Sequence, residues 1–270
     1  KLSKKFLDSY RKHFNLYYFS TPVNGGPGLA REYGTTKSKF SHLLFIDADD
    51  YIAYPMLLEH FMRTDAEVID TTIIQESDDG YHPLRPNSTF VHGKLISKEF
   101  LERHNIHWHP KLRLNEDGYF FGLISALQNK RATLDGFYSM IIKNNQQSLT
   151  RTNKQNYKIQ ITYVEGMRRL CEELVRRNNP SIFVKVAQTL YVTFANLHGR
   201  KDDLIGYAQL QAEFATFYVQ WKKYYDMVPE EMKETIVENF TDFGFDKYSF
   251  KELEETAESI VKELKNAKKI

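Results

Sequence analysis

The chain has 270 residues, 41% apolar and 27% charged, and its 37 Lys and Arg against 35 Asp and Glu leave a formal charge of +2. Such a composition suits a soluble globular chain with one large or two smaller domains, and its near balance excludes a global field that would draw nucleic acid or an anionic membrane. The single cysteine, Cys171, excludes an internal disulfide; no apolar run reaches the ~20 residues of a membrane span, and no apolar stretch follows the basic N-terminus, so a cytoplasmic setting is expected.

In chain order, Ser3–His13 predicts a helix and Asn15–Ser20 a strand. Asn24-Gly25-Gly26-Pro27-Gly28 is a glycine-rich loop that runs into a helix over Leu29–Lys39. Glycines let a backbone approach a ligand closely, and a helix start offers free N–H groups to an anion. Arg31, one turn in, is placed to reach a phosphate; taken alone, the loop reads more readily as a simple helix cap. His42–Asp47 is the next strand, and its run Leu43-Leu44-Phe45-Ile46 lacks alternation, as in a strand covered on both faces. It ends in Asp47-Ala48-Asp49-Asp50, three carboxylates crowded at one strand end. Like charges there need compensation, which a divalent ion shared with a diphosphate would supply; a solvated acidic turn is the other reading.

A helix over Pro55–Arg63 and a strand over Val68–Ile74 follow, and Asp79-Gly80 marks a tight hairpin. Ser97 suits the N-cap of a helix to Arg103. His104, His107 and His109 have a spacing that fits neither a helix face nor a zinc finger, so no metal role is assigned to them. Glu116-Asp117 opens an apolar helix to Gln128. Acids favour helix starts electrostatically, and one of a pair can also serve as a general base.

Beyond residue 150 the pattern turns helical. Ile161, Val164, Met167, Leu170, Cys171 and Leu174 recur at helical spacing until Pro180. Helices over Ile182–Leu197 and Asp203–Tyr225 follow, then one opened by Pro229. Ser249-Phe250-Lys251-Glu252 is a capping box for a last charged helix ending near Lys268.

Together and in this order, the stretches up to residue 152 resemble the family-two glycosyltransferases of the GT-A fold. The resemblance runs through Asn24 to Gly34 (with Glu32 where the family usually has Asn), the Asp-x-Asp strand end at Phe45 to Ile52, and Gly93-Lys94-Leu95 before a helix. It continues with Glu116-Asp117 and, loosely, Ser148 to Arg151. It implies an α/β, GT-A (Rossmann-like) domain over 1–152, with a mostly parallel sheet flanked by helices, followed by an all-α subdomain over 153–270. The implied reaction is transfer, with inversion, of a sugar from a nucleotide-diphosphate donor, expected to be a UDP-sugar, to an acceptor hydroxyl of a glycan, polymer or protein. Asp47, Asp49 and Asp50 would hold Mn2+ or Mg2+ on the donor diphosphate. Arg31, Gly28, Asp47, Lys94 and Arg151 would bind the donor, and Asp117 would be the base with Glu116 beside it. No His follows Arg151 closely, so a third protein ligand to the metal is not assigned.

The family opens with a strand, a helix and a second strand that have no counterpart here. The expectation is that a longer chain, a second copy or another chain supplies them. The alternative reading is a non-catalytic binding or structural protein on a glycosyltransferase-derived scaffold.

Overall fold

The computed structural model of the chain describes residues 4–13, 15–53, 65–84, 91–142, 157–199, 204–242 and 245–267. Its first part contains helices α1 (Lys4–Arg11) and α2 (Gly26–Lys37), and strands β1 (His42–Leu44), β2 (Tyr51–Ile52), β3 (Val68–Ser77), β4 (Gly80–Leu84) and β5 (Lys94–Ser97). Helices α3 (Lys98–Arg103) and α4 (Glu116–Leu127) and strand β6 (Arg131–Ile142) complete it. Five helices follow: α5 (Lys158–Arg176), α6 (Ser181–Gly199), α7 (Leu204–Tyr225), α8 (Glu230–Asp242) and α9 (Phe250–Asn266). The expected helix over Pro55–Arg63 and the turn Ser148–Arg151 lie outside the described residues.

The strands form one sheet in the order β1-β5-β3-β6-β2, with β4 beside β3. The expectation of a mostly parallel sheet is corrected: among the described residues β1–β5, β2–β6, β3–β4 and β3–β5 are antiparallel, and β3–β6 alone is parallel. The reason lies in the connections. Parallel neighbours need a long crossover, which between β3 and β6 is provided by α3 and α4. The Asp79-Gly80 turn is too short for anything but the antiparallel hairpin that pairs Ser77 with Gly80. The expected strand over Asn15–Ser20 is also corrected. These residues join no sheet, and Tyr17, Tyr18 and Phe19 are exposed. Strand propensity of aromatics expresses a fit to a pleated, half-buried surface, and none is offered there.

The two-residue period of the strands separates the sheet faces. Val68 and Ile96 point into the main apolar cluster, which runs from Leu43 through Trp108, Phe120 and Phe121 to Leu253 and Ile260. Ile69 and Leu95, one residue out of phase, form a small second cluster with Ala66. The helical half and the sheet therefore share one core, joined where α4 packs on α5. Three glycines allow that close approach. A Cβ at Gly118 would lie 3.2 Å from Met167, one at Gly122 would lie 2.4 Å from Leu170, and one at Gly166 would lie 3.3 Å from the Asn115 carbonyl. Gly122→Ala is expected to cost about 1–3 kcal/mol through this overpacking. A denaturant midpoint equal to that of the parent would show that the crossing is looser than described.

Elsewhere the helices begin and end as their sequence dictates. Ser97 caps α3 by accepting from Phe100 N–H, and Ser249 and Glu252 form a reciprocal capping box on α9. Within the helical half, Glu254 accepts from the Tyr225 hydroxyl at 2.6 Å and lies 3.3 Å from the mostly buried Lys233.

Candidate active site

The acidic turn after β1 is built by one backbone hydrogen bond. Asp50 N–H donates to the Asp47 carbonyl at 3.1 Å, so the chain folds back on itself. The side chains of Asp47 and Asp50 then face one way, while Asp49 is exposed. What they face is His92. The antiparallel register pairs Leu44 with Leu95, which sets the residues after β1 beside those before β5. His92 Nε2 lies 3.2 Å from Asp50 Oδ2 and 3.5 Å from Asp47 Oδ2. Gly93 makes this possible: its φ of +68° is left-handed, and a Cβ would meet Ile73 at 2.5 Å. Its carbonyl accepts from both the backbone N–H and the hydroxyl of Thr71, at 2.9 and 2.8 Å.

Arg31 ties this turn to α4. Its guanidinium donates to Asp47 Oδ1 at 2.6 Å and to Glu116 Oε1 at 2.7 Å, and it lies 5.1 Å from the Trp108 ring centre. Trp108 is stacked on Phe120 at 4.0 Å. Its backbone N–H donates to Glu32 Oε2 at 3.1 Å, and Glu32 also meets His107. Glu32, where the resembled family has Asn, thus fastens the 104–115 loop to α2. Gly28 is buried, and a Cβ there would press on Glu116 at 3.0 Å, so the glycine lets α2 approach α4.

Asn115 precedes α4 with φ +56°, a conformation Asn tolerates better than most residues. Its amide donates to the Ile159 carbonyl at 3.0 Å and to Thr162 Oγ1 at 2.8 Å, which anchors the start of α4 on α5. Asp117 lies in the first turn, partly buried, and accepts from Gly118 N–H at 2.9 Å. Lys94, expected to line the site, is fully buried beside Asp70 and Phe121. Arg151 lies outside the described residues.

The electrostatics differ from acid to acid. A hydrogen bond from His92, joined by the charge of Arg31, holds Asp47 at about 2 despite burial. For His92, burial opposes the charged form, but hydrogen bonds and charge from Asp47 and Asp50 outweigh it and bring the group to about 9. Burial raises the Glu116 carboxyl, Asp117 adds to the rise, and Arg31 offsets only part of it. Burial likewise raises Asp117 above the ordinary carboxyl range. Asp47 is thus kept ionised at the turn, and the pair at the head of α4 is pushed toward the proton.

Asp47, Asp50 and His92 offer two carboxylate oxygens and an imidazole nitrogen within 4.8 Å of one another. That donor set fits a divalent cation, and the nitrogen suits Mn2+ better than Mg2+, which favours oxygen alone. His92 carries no signal in the sequence beyond its position beside Gly93-Lys94, whereas the histidines at 104, 107 and 109 form a visible cluster.

No protein-family model and no curated protein sequence matches the chain. Solved structures do. S. aureus TarS 1-349 in complex with UDP-GlcNAc superposes with a TM-score of 0.61 at 17% identity, over 84% of this chain and 69% of that one. The same protein in complex with UDP gives 0.60 at 15% identity, over 97% of this chain and 78% of the other. Against the longer S. aureus TarS structure the match covers 84% of this chain and 41% of that chain, with a TM-score of 0.57 at 18% identity. The chain has a glycosyltransferase-like fold. At these identities the likeness concerns the fold, including its helical C-terminal part. Among the described residues no helix is long and apolar enough to cross a membrane.

Proposed function

We propose that the chain is a nucleotide-sugar glycosyltransferase that uses a UDP-sugar and a divalent cation and inverts the anomeric centre. The observation that carries this reading is a convergence. On a glycosyltransferase-like fold, Arg31, the Asp47–Asp50–His92 group and the Glu116–Asp117 pair come from four separate stretches and are linked through Arg31. The complexes of TarS with UDP-GlcNAc and UDP support the uridine diphosphate donor.

Asp47, Asp50 and His92 would hold Mn2+. When bound, the ion supplies positive charge that offsets the negative charge gathering on a departing diphosphate. Arg31 adds a fixed guanidinium at the same edge and holds Asp47 and Glu116 in place, so the site reorganises little as charge develops. Asp117 is the base. A sugar hydroxyl is a weak nucleophile and must lose its proton as the new bond forms. A partly buried carboxylate with a raised affinity for protons is suited to take it. Glu116, paired to Arg31, orients the guanidinium and does not take the proton. Residues 153–270 contribute the support for α4 through α5, and acceptor choice is assigned to this helical half and the loops that face it.

The test is UDP release from a panel of UDP-sugars, with water as the default acceptor. The expected result is slow turnover of one donor in MnCl2, abolished by EDTA. Turnover indifferent to EDTA would remove the metal from the account, and no turnover of any UDP-sugar would contradict the transfer reading.

A further inference from the structure

Asp70 has no role in the site described so far, yet it is a carboxylate only 1% exposed in the middle of the sheet. The β3–β5 register sets it directly opposite Lys94, with Val68 opposite Ile96. Asp70 and Lys94 therefore share the sheet face of Val68 and Ile96, which packs into the same cluster as Phe120 and Phe121 of α4. Arg131 on β6 donates to Asp70 Oδ2, and Lys94 Nζ lies 3.6 Å from Oδ1. Lys94 is 2% exposed and carries its ammonium 5.4 Å from the Phe121 ring centre. Phe121 is one helical turn beyond Asp117, so the two share a face of α4. The ammonium is thereby set against the face of α4 that carries Asp117, one turn beyond it.

Burying a carboxylate and an ammonium together is expensive and is poor value as a strand fastener where ladder hydrogen bonds already join β3, β5 and β6. A place for it against the helix face that carries a catalytic base is a different matter. We propose that Asp70 is a positioning residue for sugar transfer: through Lys94 it fixes a cation against the face of α4 that carries Asp117, and so keeps that carboxylate aimed at the acceptor. The inference rests on the glycosyltransferase reading above. It differs from a donor-contact role for Lys94, because its effect falls on the chemical step and not on UDP binding.

The test compares the parent chain with Asp70→Asn, Lys94→Met and the double variant. Two quantities are read: kcat for UDP release from the UDP-sugar that the parent turns over, and the Kd for UDP in MnCl2. Each single change is expected to lower kcat about 10- to 100-fold, the scale of a misplaced catalytic group. UDP Kd should stay within about 3-fold, the pattern of an interaction that matters only in the transition state. The double variant should be no worse than the worse single one, because both act through the same cation. Undiminished kcat per folded molecule in Asp70→Asn, with only thermal stability lost, would overturn the proposal. So would a UDP Kd that rises in step with the fall in kcat. If Asp70→Asn does not fold, Lys94→Met leaves Asp70 on Arg131 and carries the same expectation. A parent chain that turns over no UDP-sugar would overturn the transferase reading and this proposal together; parent turnover with undiminished variants would overturn this proposal alone.

Discussion

Asp117→Asn is expected to abolish sugar transfer while making the protein more stable at neutral pH. The loss follows from the role of the carboxylate. A general base contributes about 100- to 10,000-fold, and an amide of the same shape takes no proton. UDP binding should persist, since the Asp47–Asp50–His92 group and Arg31 are untouched. The gain in stability follows from linkage. Burial raises the Asp117 carboxyl above its ordinary value of 3.8. A group whose folded pKa is raised binds its proton more tightly in the folded state, so its contribution is fully present below 3.8 and is lost as pH climbs through the folded value. At neutral pH the folded state therefore carries the cost of an ionised buried acid. Asn removes that cost and keeps an acceptor for Gly118 N–H. Thermal melts at pH 7 and pH 4 check the sign: the variant should exceed the parent at pH 7, and the difference should shrink at pH 4. Transfer at the parental rate by Asp117→Asn would remove the base from the mechanism. A lower melting temperature at pH 7 would mean that Arg31 and His92 compensate the buried charge in full.

Gly93→Ala is expected to be the most damaging small substitution in the sheet. The φ of +68° already strains any residue with a Cβ, and at this position that Cβ would lie 2.5 Å from Ile73 and 3.2 Å from the Thr71 carbonyl. Neither neighbour can step aside, since Ile73 is buried in a strand and Thr71 is held by its hydrogen bonds to the Gly93 carbonyl. A destabilisation of about 3 kcal/mol or more is expected. Function should fall further than stability alone dictates, because the same turn aims His92 at Asp47 and Asp50 and starts the strand that carries Lys94. Denaturant unfolding gives the first quantity, and Mn2+ affinity of the fraction still folded gives the second. Parental values for both would show that the backbone at 93 does not need its glycine.

Much of this site is legible in the sequence, and the illegible part has a common cause. Asp47 and Asp50 announce themselves because three carboxylates end an apolar strand. Glu116-Asp117 stand out at the head of an apolar helix. The capping box at Ser249 and the helical periodicity from Ile161 to Leu174 are local patterns, and the structure follows them. His92 carries no local pattern. Its role exists only once Leu44 pairs with Leu95 across the sheet, a contact between residues 51 positions apart by their numbering. Asp70 is hidden in the same way, since a single acid inside an apolar strand means nothing until Lys94 and Arg131 stand beside it. Sheet direction is hidden for a related reason: strands and helices alternate in the first half, but among the described residues only the β3–β6 connection uses helices as a crossover between neighbouring strands. Trp108 likewise carries no local signal among the histidines around it, and its place against Arg31 exists only in the fold.

The central claim is a donor site in which Asp47, Asp50 and His92 bind a divalent cation that binds UDP. The measurement that tests it most directly is thermal stabilisation of the chain by UDP, GDP and CDP, each with and without MnCl2, repeated on Asp50→Ala and His92→Ala. A ligand that binds only the folded state adds about 2.7 kcal/mol at a hundred times its dissociation constant. The account predicts stabilisation by UDP that requires Mn2+, exceeds that of GDP and CDP, and disappears in both variants. UDP stabilisation that is independent of Mn2+ and survives in both variants would contradict it.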